Sequence, residues 1–202
     1  MDTLTQEKWD RVSKTFDLMS QFGPEMRWRP AKQALFFHMR PDARVLFVAL
    51  GTGLDIACFP PGRKITAIDI SPRMIERAQG RVRGYDGEIE PIVADVKELD
   101  FADEHFDQVF TSCTFCSVPD PVVGLEELRR VLKTGGDLYM FEHTGSRWFP
   151  FNAMMNLMTP LTSRVGPDMN RPTADNVRKA GFTLRAVNNV FLDVVKTIHA
   201  VK

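Results

Sequence analysis

Short unbroken apolar runs punctuate this chain at Val45–Leu50, Ile65–Asp69, Ile89–Ala94, Phe106–Thr111 and Leu138–His143. Runs of that length bounded by turn residues read as buried strands. Between them the apolar spacing changes to that of a helix. Ile75, Ala78 and Val82 follow Ser71-Pro72, a serine cap with proline at the first helical position. Leu125, Leu128 and Leu132 follow Pro119-Asp120-Pro121, and Thr134-Gly135-Gly136 stops that helix. Pro91 lacks the N–H that a central ladder needs, so the third strand belongs at a sheet edge.

Two helices precede the first strand. One covers residues 5–20, with Trp9, Val12, Phe16 and Met19 on one face, an apolar stripe of the kind that packs into a core. The other covers residues 25–39, after the Gly23-Pro24 break and before Pro41. Behind the fifth strand, residues 144–170 are irregular and partly helical. Pro172-Thr173 opens a short helix that ends at Gly181. Residues 183–190 and 193–201 are close enough to pair as an antiparallel hairpin.

Strands alternating with helices imply an α/β fold, a doubly wound, mostly parallel Rossmann-like sheet with a C-terminal antiparallel hairpin and two covering N-terminal helices. The 202 residues form a single domain: a helical cap at 1–40, a cofactor-binding core at 41–143, and a substrate-facing segment with the closing hairpin at 144–202. The ligand crevice of such a sheet lies at the carboxyl ends of its strands. Gly51 and Gly53, Asp69, Asp95, the Thr111–Thr114 cluster and Glu142-His143 all fall at those ends.

Glycines after the first strand let backbone approach a ligand, and an acid at the tip of the second accepts from ribose hydroxyls. A nicotinamide dinucleotide needs a third small residue and a long helix to hold its pyrophosphate. Here Ile56 stands three past Gly53, and Pro60-Pro61-Gly62 leaves room for about one helical turn. A cofactor with one nucleoside and no phosphate fits better, with Asp69 at the ribose and Asp95 and Val96 beside the base.

Composition is ordinary for a globular protein, 44% hydrophobic and 26% charged. Zero formal net charge gives no general attraction to nucleic acid, although residues 144–202 carry eight Lys/Arg against three Asp/Glu. Three cysteines without a paired spacing pattern point to reduced thiols in a cytoplasmic protein. Cys113 and Cys116 form a C-x-x-C, but no second pair completes a zinc site, and no metal is expected. The N-terminus lacks the pattern of a signal peptide and no apolar run spans a bilayer, so membrane contact is expected to be peripheral at most, at the inner face.

These motifs resemble those of the class I S-adenosylmethionine-dependent methyltransferases. The matching order is V-L-x-x-x-x-G-T-G at Val45–Gly53, I-D-I-S-P-x-M at Ile68–Met74, A-D-V at Ala94–Val96, F-D-Q-V at Phe106–Val109 and E-E-L-x-R-V-L-K-x-G-G at Glu126–Gly136. Within that superfamily the chain looks closest to the quinone-biosynthetic and phospholipid N-methyltransferases. The short G-T-G to P-P-G connector, S-V-P-D-P and E-H also resemble membrane-associated thiol methyltransferases. The resemblance implies S-adenosyl-L-methionine as cofactor, bound by Gly51, Gly53, Asp69, Ile70, Asp95, Val96 and Ser112, with Thr52 in the same turn. It departs from the family at Phe47 and Ala49, where an acid and a glycine are usual. Asp55 is the candidate to compensate at the turn.

Methyl transfer is an in-line displacement that needs positioning and, for an amine, a base. His143 is the first candidate base, with Glu142 second and orienting it. The fourth strand lacks the Asn/Asp-Pro-Pro-aromatic end of methyltransferases that act on bases, which argues against DNA. Arg27-Trp28-Arg29, Arg147-Trp148-Phe149, Arg164 and Arg171 mix cations with aromatics, and Trp28, Arg147 and Arg171 are the candidate substrate contacts. They suggest a mouth for a lipid or amphipathic small molecule, first the amine of phosphatidylethanolamine. A thiol or quinone precursor is the same-fold alternative. A catalytically silent cofactor-binding partner protein is the alternative of another class.

Overall fold

A computed structural model describes residues 1–21, 25–146, 148–150, 152–153, 157 and 170–202. Two helices, α1 (Thr3–Gln21) and α2 (Glu25–Phe36), precede β1 (Val45–Val48). A single 3-10 turn, Leu54–Cys58, occupies the short connector before β2 (Lys64–Asp69). There follow α3 (Pro72–Arg83), β3 (Glu88–Val93), β4 (Phe106–Ser112), α4 (Pro121–Val131) and β5 (Leu132–His143). The chain closes with α5 (Thr173–Lys179), β6 (Thr183–Phe191) and β7 (Val195–Val201).

The seven strands form one sheet in the order β3-β2-β1-β4-β5-β7-β6. The first five are parallel, and β7 enters antiparallel between β5 and β6. The order reverses between β1 and β4, which places the crevice at Val48 and Thr111, paired across that seam. Pro91 does sit on an edge strand, where its missing N–H is not needed by a neighbour.

Strand alternation sorts side chains into two cores. Val45, Phe47, Phe110 and Phe141 join Leu35, Phe36, Met39 and Phe59 on one face. Leu46, Val48, Val109, Leu138 and Met140 join Leu125, Leu128, Val131 and Val177 on the other. Phe47, the residue in place of the family's acid, is fully buried and packs edge-on against Phe36 and Phe59. Ser71 caps α3 by accepting from the Met74 amide at 3.1 Å, with Pro72 at the first position.

Strand β5 begins six residues earlier than its apolar run suggests. Leu132 already pairs with Phe106, and the register shifts between Phe106 and Gln108 to absorb Lys133–Gly136. Polar ties hold this bulge: Lys133 to Asp107, and the Thr134 hydroxyl to Glu104 at 2.5 Å.

Candidate active site

The carboxyl ends of β1, β2 and β4 open into a cavity of about 250 Å³. Its floor comes from Val48, Ala49, Gly51, Asp69, Ile70, Asp95, Val96, Ser112 and His143, and its roof from Thr5, Trp9 and Phe16 of α1. Trp9 and Phe16 of the α1 stripe therefore face the site. Trp9 and Phe16 meet edge to face at 6.4 Å, and the helix is latched by carboxylates at its flank. Asp10 accepts from the Ser71 hydroxyl at 2.5 Å. Asp17 accepts from the Thr52 hydroxyl at 2.5 Å and from the Arg81 guanidinium at 2.9 Å.

Gly51 has φ +57°, and a side chain there would meet only Phe16, at 4.0 Å. Its bare face is thus the cavity wall, and its amide donates to Asp69 Oδ2 at 2.7 Å. Asp69 Oδ1 accepts from the Ser71 amide at 2.8 Å. Burial pushes the Asp69 carboxyl up to about 6 against the pull of those two donors. Asp69 lines the cavity and each oxygen has further accepting capacity, as recognition of a ribose diol requires. Asp95 accepts from the Lys97 amide at 3.0 Å and from the Asp2 amide at 2.9 Å, so the start of the chain sits on this second acid. Ser112 lines the same cavity with a buried hydroxyl that has no protein partner. An orphan of that kind calls for a ligand or a water.

Ala49, just past β1, and Cys113, just past β4, are both left-handed, at φ +62° and +52°. Cys113 and Cys116 line the cavity, and burial pushes both thiols up, Cys116 to about 12, so they present neutral sulfur. Among the described residues no group of His, Cys, Asp and Glu is arranged to hold a metal ion.

Several candidates sit elsewhere. Gly53, at φ +83°, is where the turn passes against Ile56 and Ala78, so it serves packing with α3 and not the cavity. Thr52 is buried and spends its hydroxyl on the α1 latch. Asp55 does not compensate for the missing acid at the cavity, because Lys32 of α2 holds its carboxylate at 2.7 Å, with side chains 4% and 13% exposed. Glu142 is completely buried and turned away from His143. It accepts from the Thr111 hydroxyl at 2.8 Å and from the Thr114 and Phe115 amides at 3.1 Å each, and so ties the end of β5 to the loop after β4. That role is structural, and burial pushes its carboxyl up to about 7.

His143 does line the cavity. Burial, then the nearby Lys32 charge, hold its ring below the ordinary imidazole range, hence neutral at pH 7. Trp28 packs behind it, ring centroids 4.9 Å apart, and is itself buried, so it supports the site rather than lining it. Arg171 reaches the cavity rim, donating to the Pro119 carbonyl at 3.5 Å. Arg147 and Arg164 lie outside the described residues. His38 and His199 stack on opposite sides of Tyr139, away from the cavity.

Lys32 escaped the sequence reading. Its signal was present, a lone cation at helical spacing from Trp28, Leu35 and Phe36 on a face otherwise apolar. The α1 carboxylates Asp10 and Asp17, seven apart, had a similar but weaker signal.

The chain matches the family described as Methyltransferase domain over residues 46–140. It is 34% identical over 157 residues to a ubiquinone/menaquinone biosynthesis C-methyltransferase of Geotalea daltonii, covering 72% of this chain and 66% of that one. It is 32% identical over 166 residues to a demethylmenaquinone methyltransferase of Beutenbergia cavernae, covering 78% and 67%. A phosphatidylethanolamine N-methyltransferase of Cereibacter sphaeroides is 32% identical over 61% of this chain and 62% of its own length. A thiol S-methyltransferase of Rattus norvegicus is 29% identical over 70% and 61%. The chain thus spans between 61% and 67% of the length of these relatives. Among solved structures, an S-adenosylmethionine-dependent methyltransferase of Thermotoga maritima superposes with a TM-score of 0.71 at 19% identity, covering 98% of this chain and 99% of that one.

Proposed function

The chain belongs to the class I S-adenosylmethionine-dependent methyltransferases, and from that premise we propose that it moves a methyl group onto a lipid or other amphipathic small molecule. The observation that carries this reading is the convergence of Gly51, Asp69, Asp95 and Ser112 on one roofed cavity without a phosphate subsite. Asp69 would hold the ribose hydroxyls, Asp95 and Val96 the adenine edge, and the Gly51 turn the amino-acid tail. The orphaned Ser112 hydroxyl and the open face of Gly51 fit such a cofactor. When bound, that cofactor supplies an activated methyl group on a sulfonium.

The residues of the chain position and exclude. Trp9 and Phe16 cover part of the cavity with apolar surface, which reduces water around the polar contacts below. His143, Cys113, Cys116 and Pro119 border the space left for the acceptor. Lys8 and Arg171 both lie close enough to Cys116, and Lys32 to Cys113 and His143, for their charges to be felt there. Glu142 acts on both sulfurs and Asp55 on Cys113 in the opposite sense, so the surround is mixed in charge and does not by itself choose among acceptors. The phosphatidylethanolamine amine, a quinol and a small thiol are the three acceptors within this reading.

Peripheral membrane contact belongs to the same proposal. Among the described residues no helix is long and apolar enough to cross a membrane, while Trp148 and Phe149 are 70% and 83% exposed beside the site. Incubation with methyl-labelled cofactor and a panel of phosphatidylethanolamine vesicles, an alkyl hydroquinone and an alkyl thiol tests it. Label in at least one acceptor is expected. Cofactor binding with no transfer to any acceptor, nor to a total lipid extract, would support a silent binding module instead.

A further inference from the structure

Two buried nitrogens behind the acceptor space have no hydrogen-bond partner: Trp28 Nε1 and His143 Nδ1. The rings that carry them are already in contact, edge to face at 69°. Their chemistries are complementary. An indole N–H only donates, and an imidazole nitrogen accepts only when it carries no proton. Buried donors are almost always paired, and among the described residues His143 Nδ1 is the unpaired acceptor whose ring touches the indole. The two nitrogens are not bonded to each other in this conformation, so pairing them requires a ring to turn.

We propose that Trp28 is a positioning residue for His143: its indole N–H is the donor that Nδ1 accepts, which fixes the neutral imidazole with its proton on Nε2. Helix α2 is built for this. It carries Trp28 and Lys32 one turn apart, and both rest on Phe141, at 5.9 Å and 5.4 Å. The Lys32 charge, anchored on Asp55, disfavours the imidazolium, which has no lone pair for Trp28. Nδ1 being the buried nitrogen of a half-buried ring, Nε2 is the one left to face the cavity.

The consequence rests on the methyltransferase reading above. A ring locked in this tautomer meets the acceptor as a donor, not as the base that its position at the end of β5 suggests. It has no lone pair on the facing nitrogen and takes no proton. The acceptor class it fits is a nucleophile that has already given its proton to solvent, a phenolate or thiolate, held by the Nε2–H and the Lys32 field. An ammonium headgroup fits poorly, being a donor itself and needing a base.

Nitrogen-15 NMR of the histidine rings tests the lock on the protein alone, with His143→Gln assigning the signals among four histidines. The wild-type ring should show an unprotonated Nδ1 and a protonated Nε2 at neutral pH. Trp28→Phe keeps the packing, removes the donor, and should release a mixture of both tautomers. A wild-type proton on Nδ1, or an unchanged tautomer ratio in Trp28→Phe, would overturn the proposal. If Trp28→Phe does not fold, the wild-type spectrum still decides. Titration with S-adenosylmethionine separates the two levels: normal binding with the proton on Nδ1 removes this inference alone, and absent binding removes the methyltransferase reading alone.

Discussion

The amide of Gly51 donates to Asp69 Oδ2 at 2.7 Å, so the first strand's glycine turn is fastened to the acid at the tip of the second. Two motifs separate in sequence are thus one device, a bare backbone wall and a carboxylate held at a fixed angle to it. The same carboxyl is pushed up to about 6 by burial. Cofactor binding favours its ionised, accepting form. Affinity for S-adenosylmethionine should therefore weaken as pH falls below about 6, by up to about tenfold per unit. Calorimetric titrations at pH 5, 6 and 7.5 measure it, and a flat profile would remove Asp69 from the ribose.

Stability of the cofactor-free protein should move the other way. Asp69 and Glu142 both have folded values, about 6 and about 7, above their ordinary ones of 3.8 and 4.5. The native state then binds protons more tightly than the unfolded chain, so stability from these groups is present at low pH and lost as pH rises through those values. Melting without cofactor should show these two groups favouring pH 5 over pH 8. Asp69→Asn combined with Glu142→Gln should flatten that dependence, and an unchanged slope would contradict the assignment.

Ala49 holds φ +62° where its relatives' motif usually has glycine. A left-handed alanine costs roughly 1–2 kcal/mol, partly offset by the greater freedom glycine loses on folding. Ala49→Gly should therefore stabilise the protein by about 0.5–1 kcal/mol, a rise of roughly 1–4 °C in Tm for a chain of this size. A lowered Tm would mean that the methyl group's packing outweighs the strain.

Most of this architecture was legible because it rests on local patterns. Short apolar runs named five strands, Ser71-Pro72 named the start of α3, and Pro91 named the edge. Gly51, Asp69, Asp95 and Ser112 line one cavity because strand-end chemistry gathers at one sheet edge whatever the rest of the chain does. What could not be read was partner choice. Thr52, Asp55 and Glu142 have the right residue types in the right places. Whether such a group meets the ligand depends on what else is near, and their partners are 27–35 residues away for Thr52 and Glu142 and 23 for Asp55. The α1 stripe is ambiguous for the same reason, since an apolar face looks alike whether it covers a core or a cavity.

The Lys32–Asp55 pair should behave as a buried ion pair. Lys32→Met leaves a carboxylate buried alone and should cost about 3–5 kcal/mol, whereas Lys32→Met with Asp55→Leu should recover most of that. Denaturant unfolding of the two singles and the double closes the cycle. Additive losses would show that the two side chains do not depend on each other.

Trp9 and Phe16 of α1 form one wall of the cavity, so loosening that helix should ease the exit of a ligand. Asp10→Ala with Asp17→Ala removes the latches to Ser71, Thr52 and Arg81. Cofactor dissociation, followed by competition in stopped flow, should accelerate by about tenfold or more. An unchanged rate would mean that these contacts do not hold the roof.

Titration calorimetry with S-adenosylmethionine and with NAD, on the wild type and on Asp69→Ala, tests the central claim most directly. S-adenosylmethionine should bind the wild type, NAD should not, and Asp69→Ala should lose about 1–3 kcal/mol of the cofactor's binding energy. Binding of NAD in place of S-adenosylmethionine, or equal affinity in Asp69→Ala, would contradict the account.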